Sequence, residues 1–268
     1  MLDRPHIMGI LNLTPDSFYD GGRHKDQDAA LRRVAEMVAE GADLIDIGGE
    51  STRPGAAQVA ESEEIDRVAG VIERLNKEFA VPLSIDTSKS AVARAAVAAG
   101  VDFINDISGL NFDPAMAGVA VSSGAGLFLM HTRARPDQMQ QDTVYDDLLG
   151  EVESSLRCSV QRALDAGVPQ NKIALDPGIG FGKDLAGNLL LLNRLDRLCS
   201  LGFPVLLGTS RKSFIGKVLA QGSPAVRLNG TLATVALGVD RGAMLFRVHD
   251  VKPALEVARM AWAIKTAA

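Results

Sequence analysis

The chain has 268 residues, 47% hydrophobic and 23% charged, with a formal net charge of −5. That composition excludes a disordered chain, and the acidic balance argues against a general binder of nucleic acid or anionic membrane, so an anionic ligand would need a local cluster of cations. The two cysteines, Cys158 and Cys199, form no CxxC, which argues against a zinc scaffold or a disulfide framework.

In chain order, one phrase repeats: a helical run ends in glycine, and a short apolar strand follows that stops at a polar residue. The first strand is HIMGILN, which no long apolar run or cleavage-site pattern precedes. Then Gly41 precedes ADLIDIGGES, VPLSIDTS follows Phe79, Gly100 precedes VDFINDISG, and Gly124 precedes AGLFLMH. Gly167 precedes VPQNKIALDPG, Gly202 precedes FPVLLGTS, and Gly242 precedes AMLFRVHD. Each glycine stands where a left-handed helix cap is expected. The intervening helices are expected at roughly 26–40, 61–79, 89–99, 113–123, 144–166, 185–200, 223–240 and 251–265. The strands are continuous apolar runs, as strands covered on both faces should be. Eight such units fit a single (β/α)8 TIM barrel over residues 1–268 better than an open doubly wound sheet. No stretch is long and apolar enough to span a membrane, and the expected address is the cytoplasm.

A barrel gathers the C-terminal ends of all its strands on one face. The residues just past the apolar runs are Asn12, Asp46 to Glu50, Asp86, Asn105, Met130 with His131, Asp176, Ser210 with Arg211 and Lys212, and Arg247 with His249. A single strand-end Asp or Asn often only caps a turn, and the repetition along the chain is what argues for a site. In LDPGIGFGK, Pro177 and Gly178 stop the strand and fix Asp176 at its lip. Asp86, Asn105 and Asp176 suit a flat heterocycle with an amino-pyrimidinone edge, since one carboxylate accepts from both an NH2 and a ring N–H. Lys212 brings a donor for the same molecule. Arg247, His249 and Arg53 make an anion set suited to phosphate or diphosphate, and Asn12 offers an oxygen to a magnesium ion there.

No Ser-His-Asp order stands out, and GIGFGK lacks the spacing of a phosphate-binding Walker loop. His24 is expected in a solvated loop and His6 in a structural role, while His131 stays open between ligand and scaffold. Two long loops, NLTPDSFYDGGRHKDQD and GGESTRPGAAQVAES, have the character of lids that would carry Phe18, Tyr19, Thr52 and Arg53 inward.

The stretches GILNLTPDSFYDGG, DIGGESTRPGA, SIDTSK, INDISG, LDPGIGFGK, SRKSFIG and RVHDV closely resemble the bacterial dihydropteroate synthase family, in the family's order and over nearly the whole chain. The resemblance implies a pterin-binding TIM barrel that condenses 6-hydroxymethyl-7,8-dihydropterin diphosphate with 4-aminobenzoate, releasing diphosphate, and that sulfonamides inhibit. It implies a pterin set of Asp86, Asn105, Asp176 and Lys212 lined by Ile107, Met130 and Phe181. Arg247 would pack over the pterin ring and, with His249, hold diphosphate, and Asn12 would bind Mg2+. Thr52, Arg53 and Pro54 would form the aminobenzoate pocket with Phe181, Lys212 and Ser213. Catalysis would rest chiefly on Lys212, Arg247, Asp176 and Arg53, and a homodimer built from the later helices is expected.

The chain departs from the family pattern in two places. MHTRARPDQMQ carries Arg133 and Arg135 where the family often has uncharged residues and a glycine, and RLNGTLA replaces a small Ala-Gly-Ser, for which only a packing change is expected. The GIGFGK turn has no insertion, so sulfonamide sensitivity is expected. Two other readings compete: a corrinoid-linked methyltransferase on the same barrel, which would not need SRKSFIG and RVHDV as a diphosphate site, and a non-catalytic pterin-binding paralogue.

Overall fold

The computed structural model describes residues 2–14 and 23–267, with only the backbone for 23–26. Eight parallel strands follow the order β6-β5-β4-β3-β2-β1-β8-β7. They are β1 (His6–Asn12), β2 (Leu44–Gly48), β3 (Leu83–Asp86), β4 (Phe103–Asp106), β5 (Gly126–Met130), β6 (Ile173–Asp176), β7 (Leu206–Leu207) and β8 (Leu245–Val248). The ring closes between β6 and β7 through the bridge of Leu175 with Val205 and the bond from Leu175 N–H to Pro204 O, 2.9 Å. This is the (β/α)8 barrel expected from the repeated phrase.

The helices are α1 (Arg23–Ala39), α2 (Glu61–Glu78), α3 (Ser90–Ala99), α4 (Met116–Ser123), α5 (Leu148–Ala166), α6 (Leu185–Asn193), α7 (Leu195–Cys199), α8 (Ser213–Val218), α9 (Leu228–Asp240) and α10 (Val251–Lys265). All six glycines read as helix ends have positive φ, from 72° at Gly124 to 116° at Gly100. Three expectations change. The run 185–200 breaks at Arg194 into α6 and α7, the short helix α8 follows β7 where none was expected, and His24 lies in the first turn of α1 rather than in a loop. In RLNGTLA, a Cβ on Gly230 would come within 2.2 Å of Ile215 Cγ2, so glycine is what lets α9 lie against α8.

Strand side chains alternate between faces. The outward set (Ile45, Ile47, Ile85, Ile104, Leu129, Leu175, Leu207 and Phe246 among others) packs under the helices as the main core. The inward set begins with Met8, Leu44, Phe128, Ala174, Leu206 and Leu245, which meet as a separate apolar cluster with Phe103 against it. Two residues further along the same strands come Asp46, Met130, Asp176, Gly208, Arg247 and Asn105. One alternation therefore plugs one end of the barrel with hydrocarbon and furnishes the other with charge.

Candidate active site

The charged layer is tightly connected. Arg247 donates through Nε to Asp46 Oδ2 at 2.6 Å and through Nη2 to Asp86 Oδ2 at 2.7 Å. Asn105 Nδ2 donates to the same Asp46 oxygen at 3.0 Å. Register carries these side chains to one level, with Asp86 opposite Asn105 and Met130 opposite Asp176. The remaining oxygens, Asp46 Oδ1 and Asp86 Oδ1, are buried and have no hydrogen-bond partner among the described residues. A buried acceptor left open is costly, so these two atoms mark where donors from a bound molecule would be most welcome. Burial raises the Asp86 carboxyl to about 7 against the pull of Arg247. Burial lowers the Arg247 guanidinium, but Asp46 and Asp86 outweigh it and leave it raised and firmly charged.

Sequence grouping set Arg247 with His249 as an anion pair. The structure also seats its guanidinium between two carboxylates, so it belongs to the floor of the mouth as much as to its rim. Asp46 was missed as a site residue. Its signal is a lone acid inside the apolar run LIDIG.

Asp176 stands across the mouth. Its Oδ1 accepts from Gly178 N–H at 2.7 Å, so the rigid turn does hold the carboxylate in place. Burial raises its pKa, opposed by Lys212, the Gly178 amide, Lys183 and Arg247. Gly208, at the end of β7, leaves the space into which these groups converge. A Cβ there would lie 3.7 Å from Asp176 Oδ2, 3.9 Å from Arg247 Cβ and 3.9 Å from Lys212 Nζ. Lys212 Nζ donates to Ile179 O and sits 4.6 Å from the centre of the Phe181 ring. Burial lowers its pKa to about 8, with Arg247 adding to the fall and Asp176 and Asp86 opposing it. Phe181 packs with Ile107, Met130 and Met139 as an apolar wall. Of these, Met139 had no sequence signal beyond its place in MHTRARPDQMQ. Ser213 is exposed, in the first turn of α8 beside Lys212.

On the β7–β8 side, Ser210 Oγ lies 2.9 Å from His249 Nδ1 and accepts the His249 backbone N–H at 3.1 Å. The contact fixes the orientation of the ring, the donor being the Ser210 hydroxyl or the His249 Nδ1–H according to the tautomer. Burial pushes His249 down to about 4, with Arg247, Arg211 and Arg53 in the same direction, so the ring is neutral near pH 7. Arg211 has φ of 57°, a left-handed conformation costing on the order of 1–3 kcal/mol for a side chain of this size. Asp250 holds it by a two-pronged pair at 2.9 and 2.6 Å, Thr231 Oγ1 accepts its N–H at 3.0 Å, and Arg227 donates to its carbonyl at 2.9 Å. That kink separates Ser210, turned to His249, from Lys212, turned to the β6 loop.

The loop after β2 carries Thr52, Arg53 and Pro54. Lys89 clasps its base, donating to Glu50 at 2.9 Å, Glu64 at 2.7 Å and Val59 O at 2.7 Å, while Val59 N–H returns to Glu50 at 2.6 Å. Its tip is tied by Gly55 N–H to Pro136 O, 2.9 Å. Thr52 is half-buried, and Arg53 and Pro54 are exposed. None of the three hydrogen-bonds to the mouth residues, although Arg53 is near enough to lower His249. Arg133 has turned away from the mouth to staple the loop after β5. It binds Asp142, Val144 O and Glu151 and stacks 3.6 Å from the centre of the Tyr145 ring, while Arg135 lies over Phe112 at 4.5 Å. His131, left open above, has its Nδ1 3.0 Å from Lys183 Nζ and serves the scaffold. Phe18 and Tyr19 lie outside the described residues.

Asn12 ends β1 opposite Gly48. A Cβ on that glycine would lie 3.7 Å from Asn12 Oδ1 and 3.8 Å from Asp86 Cβ. Among the described residues no three His, Cys, Asp or Glu side chains converge as a metal cage. One neutral oxygen on the Asp86 side of the mouth has the chemistry to hold a magnesium ion that keeps waters and takes its other ligands from phosphate.

Residues 8–249 match the family model described as pterin binding enzyme. The dihydropteroate synthase of Bacillus subtilis strain 168 is 51% identical over 255 residues, which are 95% of this chain and 86% of that one. The crystal structure of a dihydropteroate synthase from Clostridium difficile, in the presence of pteroic acid, superposes with a TM-score of 0.93 at 47% identity, covering 98% of this chain and 99% of the other. A Xanthomonas albilineans dihydropteroate synthase with 4-aminobenzoic acid gives a TM-score of 0.93 at 44% identity, covering 99% and 95%. Barrel, mouth and matched span agree: the chain belongs to the pterin-binding enzyme family and, within it, to the dihydropteroate synthases.

Proposed function

We propose that this chain condenses 6-hydroxymethyl-7,8-dihydropterin diphosphate with 4-aminobenzoate to give 7,8-dihydropteroate and diphosphate. The observation that carries the reading at the level of residues is the pair of buried, unpartnered carboxylate oxygens on Asp46 and Asp86. They sit beside a guanidinium and face Asp176 across the mouth. An amino-pyrimidinone edge supplies the missing N–H donors, with Asp86, Asn105 and Asp176 as its main partners and Lys212 as donor to a ring acceptor. Ile107, Met130, Met139 and Phe181 cover the ring's apolar faces.

The C–O bond to diphosphate breaks with its electron pair leaving on oxygen, and the positive charge spreads from the exocyclic carbon into the dihydropterin. Asp86 and Asp176 stabilise that cation from fixed positions, without reorganisation at the moment of reaction. Arg247 and His249, whose ring is aimed by Ser210, hold the diphosphate. The arylamine nitrogen then forms the new C–N bond and loses a proton to water or diphosphate. Arg53, Thr52, Pro54 and Ser213 belong to the rim where 4-aminobenzoate enters, beside Phe181 and Lys212. Asn12 would hold Mg2+, which when bound supplies positive charge to the leaving group.

The test is diphosphate release from the pterin diphosphate with magnesium, with and without 4-aminobenzoate. Stoichiometric dihydropteroate establishes the synthase. Tight pterin binding by calorimetry with no release would overturn it and return the corrinoid-linked methyltransferase or the non-catalytic binder. Sulfonamides should compete with 4-aminobenzoate, and an affinity orders of magnitude weaker than that for 4-aminobenzoate would contradict the open GIGFGK turn.

A homodimer is the assembly proposed. Val218, Leu219, Val226, Leu237, Met260 and Ile264 are large apolar residues exposed on α8, α9, α10 and the segment between α8 and α9. A monomer by light scattering at micromolar concentration would refute it. No helix among the described residues is long and apolar enough to cross a membrane. The cytoplasm is the proposed location, where both small-molecule substrates would be met.

A further inference from the structure

The turn from β6 to α6 has an unusual construction. Gly178, Gly180 and Gly182 all have positive φ, 68°, 85° and 60°, so the chain winds tightly; it closes on itself through Phe181 N–H to Gly178 O at 3.0 Å and leaves its other carbonyls outside regular structure. Side chains take them one by one. Lys212 takes Ile179 O, Gln140 takes Gly180 O at 3.1 Å, Tyr145 takes Gly182 O at 2.9 Å, and Asn188 takes Lys183 O at 3.1 Å. Gly178 O and Phe181 O both accept from one ammonium, Lys183 Nζ, at 2.9 and 2.8 Å. The third direction of that ammonium meets His131 Nδ1 at 3.0 Å, with His131 O at 3.4 Å.

Lys183 is only 3% exposed, and among the described residues its hydrogen bonds go to Gly178 O, Phe181 O and His131 rather than to a carboxylate. Burial pushes the amine down to about 7, with Asp176 opposing and Lys212 and Arg133 adding to the fall, so the charged form is expensive there, and an apolar side chain would fill the same space. What the ammonium adds is threefold donation at the one point where the β6 turn, the end of β5 and the Phe181 carbonyl meet. The turn cannot move aside to compensate, because a Cβ on Gly178 would already lie 2.0 Å from His131 O. Asp176 begins this turn and Phe181 sits within it, so the ammonium lies between the carboxylate and the aromatic wall of the site. Its charge also favours an ionised Asp176 from behind.

We propose that Lys183 is a positioning residue. Its ammonium, caged by Gly178 O, Phe181 O and His131 Nδ1, fixes the β6 turn so that Asp176 meets the pterin and Phe181 and Lys212 meet 4-aminobenzoate in one arrangement. The inference rests on the synthase reading above and assigns a task to a lysine that touches neither substrate.

The experiment compares wild type with three variants by steady-state kinetics and by calorimetry. Lys183→Met keeps the buried stem and removes the donors. It should raise KM for 4-aminobenzoate about tenfold or more and weaken pterin binding, while kcat falls by less than about threefold. Lys183→Ala should recover at least part of that loss with propylammonium and none with butanol, a readout that loss of packing alone would not give. His131→Leu removes one acceptor of the cage and keeps the lysine. It should raise the same KM about threefold, which keeps the test alive should both Lys183 variants fail to fold. KM values within twofold of wild type in folded Lys183→Met or, where that variant does not fold, in His131→Leu would overturn the inference alone, as would rescue by butanol equal to that by the amine. A wild type that releases no diphosphate would remove the synthase reading and this inference with it.

Discussion

The two ends of the barrel are built by the same strands and the same alternation, yet they are held by different physics. At the closed end Met8, Leu44, Phe128, Ala174, Leu206 and Leu245 exclude water and need no direction. Two residues along, Asp46, Asn105 and Asp176 are buried and Arg247 is half-buried, and they depend on distances of 2.6–3.0 Å. Hydrocarbon tolerates a small shift, whereas a charge pair does not. The difference teaches that the charged end costs stability in the free protein, and that the cost is concentrated at atoms such as Asp46 Oδ1 and Asp86 Oδ1 that wait for donors.

The sharpest way to break this comparison uses two residues of one strand. Arg247→Met carries the chemistry of the closed end into the mouth and leaves Asp46 and Asp86 without their cation. It should cost roughly 3–5 kcal/mol in urea unfolding and reduce kcat/KM by about a thousandfold or more. Leu245→Ala, two positions earlier, should cost about 2–4 kcal/mol through its cavity and leave KM for both substrates within about twofold. Equal kinetic effects from the two would mean that the ends differ in composition only. Asp176→Asn comes next. It keeps the fold but removes a charged acceptor worth roughly 1.5–3 kcal/mol, about ten- to a hundredfold in pterin affinity by calorimetry. Unchanged affinity and turnover would take Asp176 out of the site.

The pH profile sharpens the same contrast. Burial raises Asp86 to about 7, so as pH falls through that region the free protein gains a proton there and loses the charge that receives ring donors. kcat/KM for the pterin diphosphate should therefore decline on an acid limb well above the ordinary carboxylate range. A limb near 4 would show that Arg247 keeps Asp86 ionised throughout. The smallest effect belongs to the rim. Arg133→Ala removes exposed ion pairs with Asp142 and Glu151, which should leave the urea midpoint little changed and change KM by no more than about threefold.

Much of the site was legible because strand ends announce themselves. Asp86, Asn105, Asp176 and Arg247 each interrupt an apolar run, and helix-ending glycines set the frame around them. Ile107, Met130 and Phe181 came through family resemblance and do meet as one wall. Asp46 was harder, since an acid in the middle of LIDIG looks like any strand residue until the register places it beside Arg247, 201 positions away. Lys183 closes the stretch LDPGIGFGK, but no local pattern assigns it a task of its own. A lysine after a glycine-rich turn reads as solvated, and only the winding of three left-handed glycines turns the carbonyls inward around it. The short helix α8 and the break at Arg194 escaped for a similar reason, since each depends on neighbours that helical periodicity does not contain.

By itself the sequence determined the eight-unit barrel, the end of it that carries chemistry and the family to which the chain belongs. All three follow from local patterns: apolar runs, their glycine punctuation and short motifs in a given order. The tertiary structure alone decided that Arg247 is shared by Asp46 and Asp86, that His249 is aimed through Ser210, and that Arg133 faces outward. Those are choices of partner among residues far apart in the chain. Distance, burial and direction settle them, and none of the three exists until the ring of strands has closed.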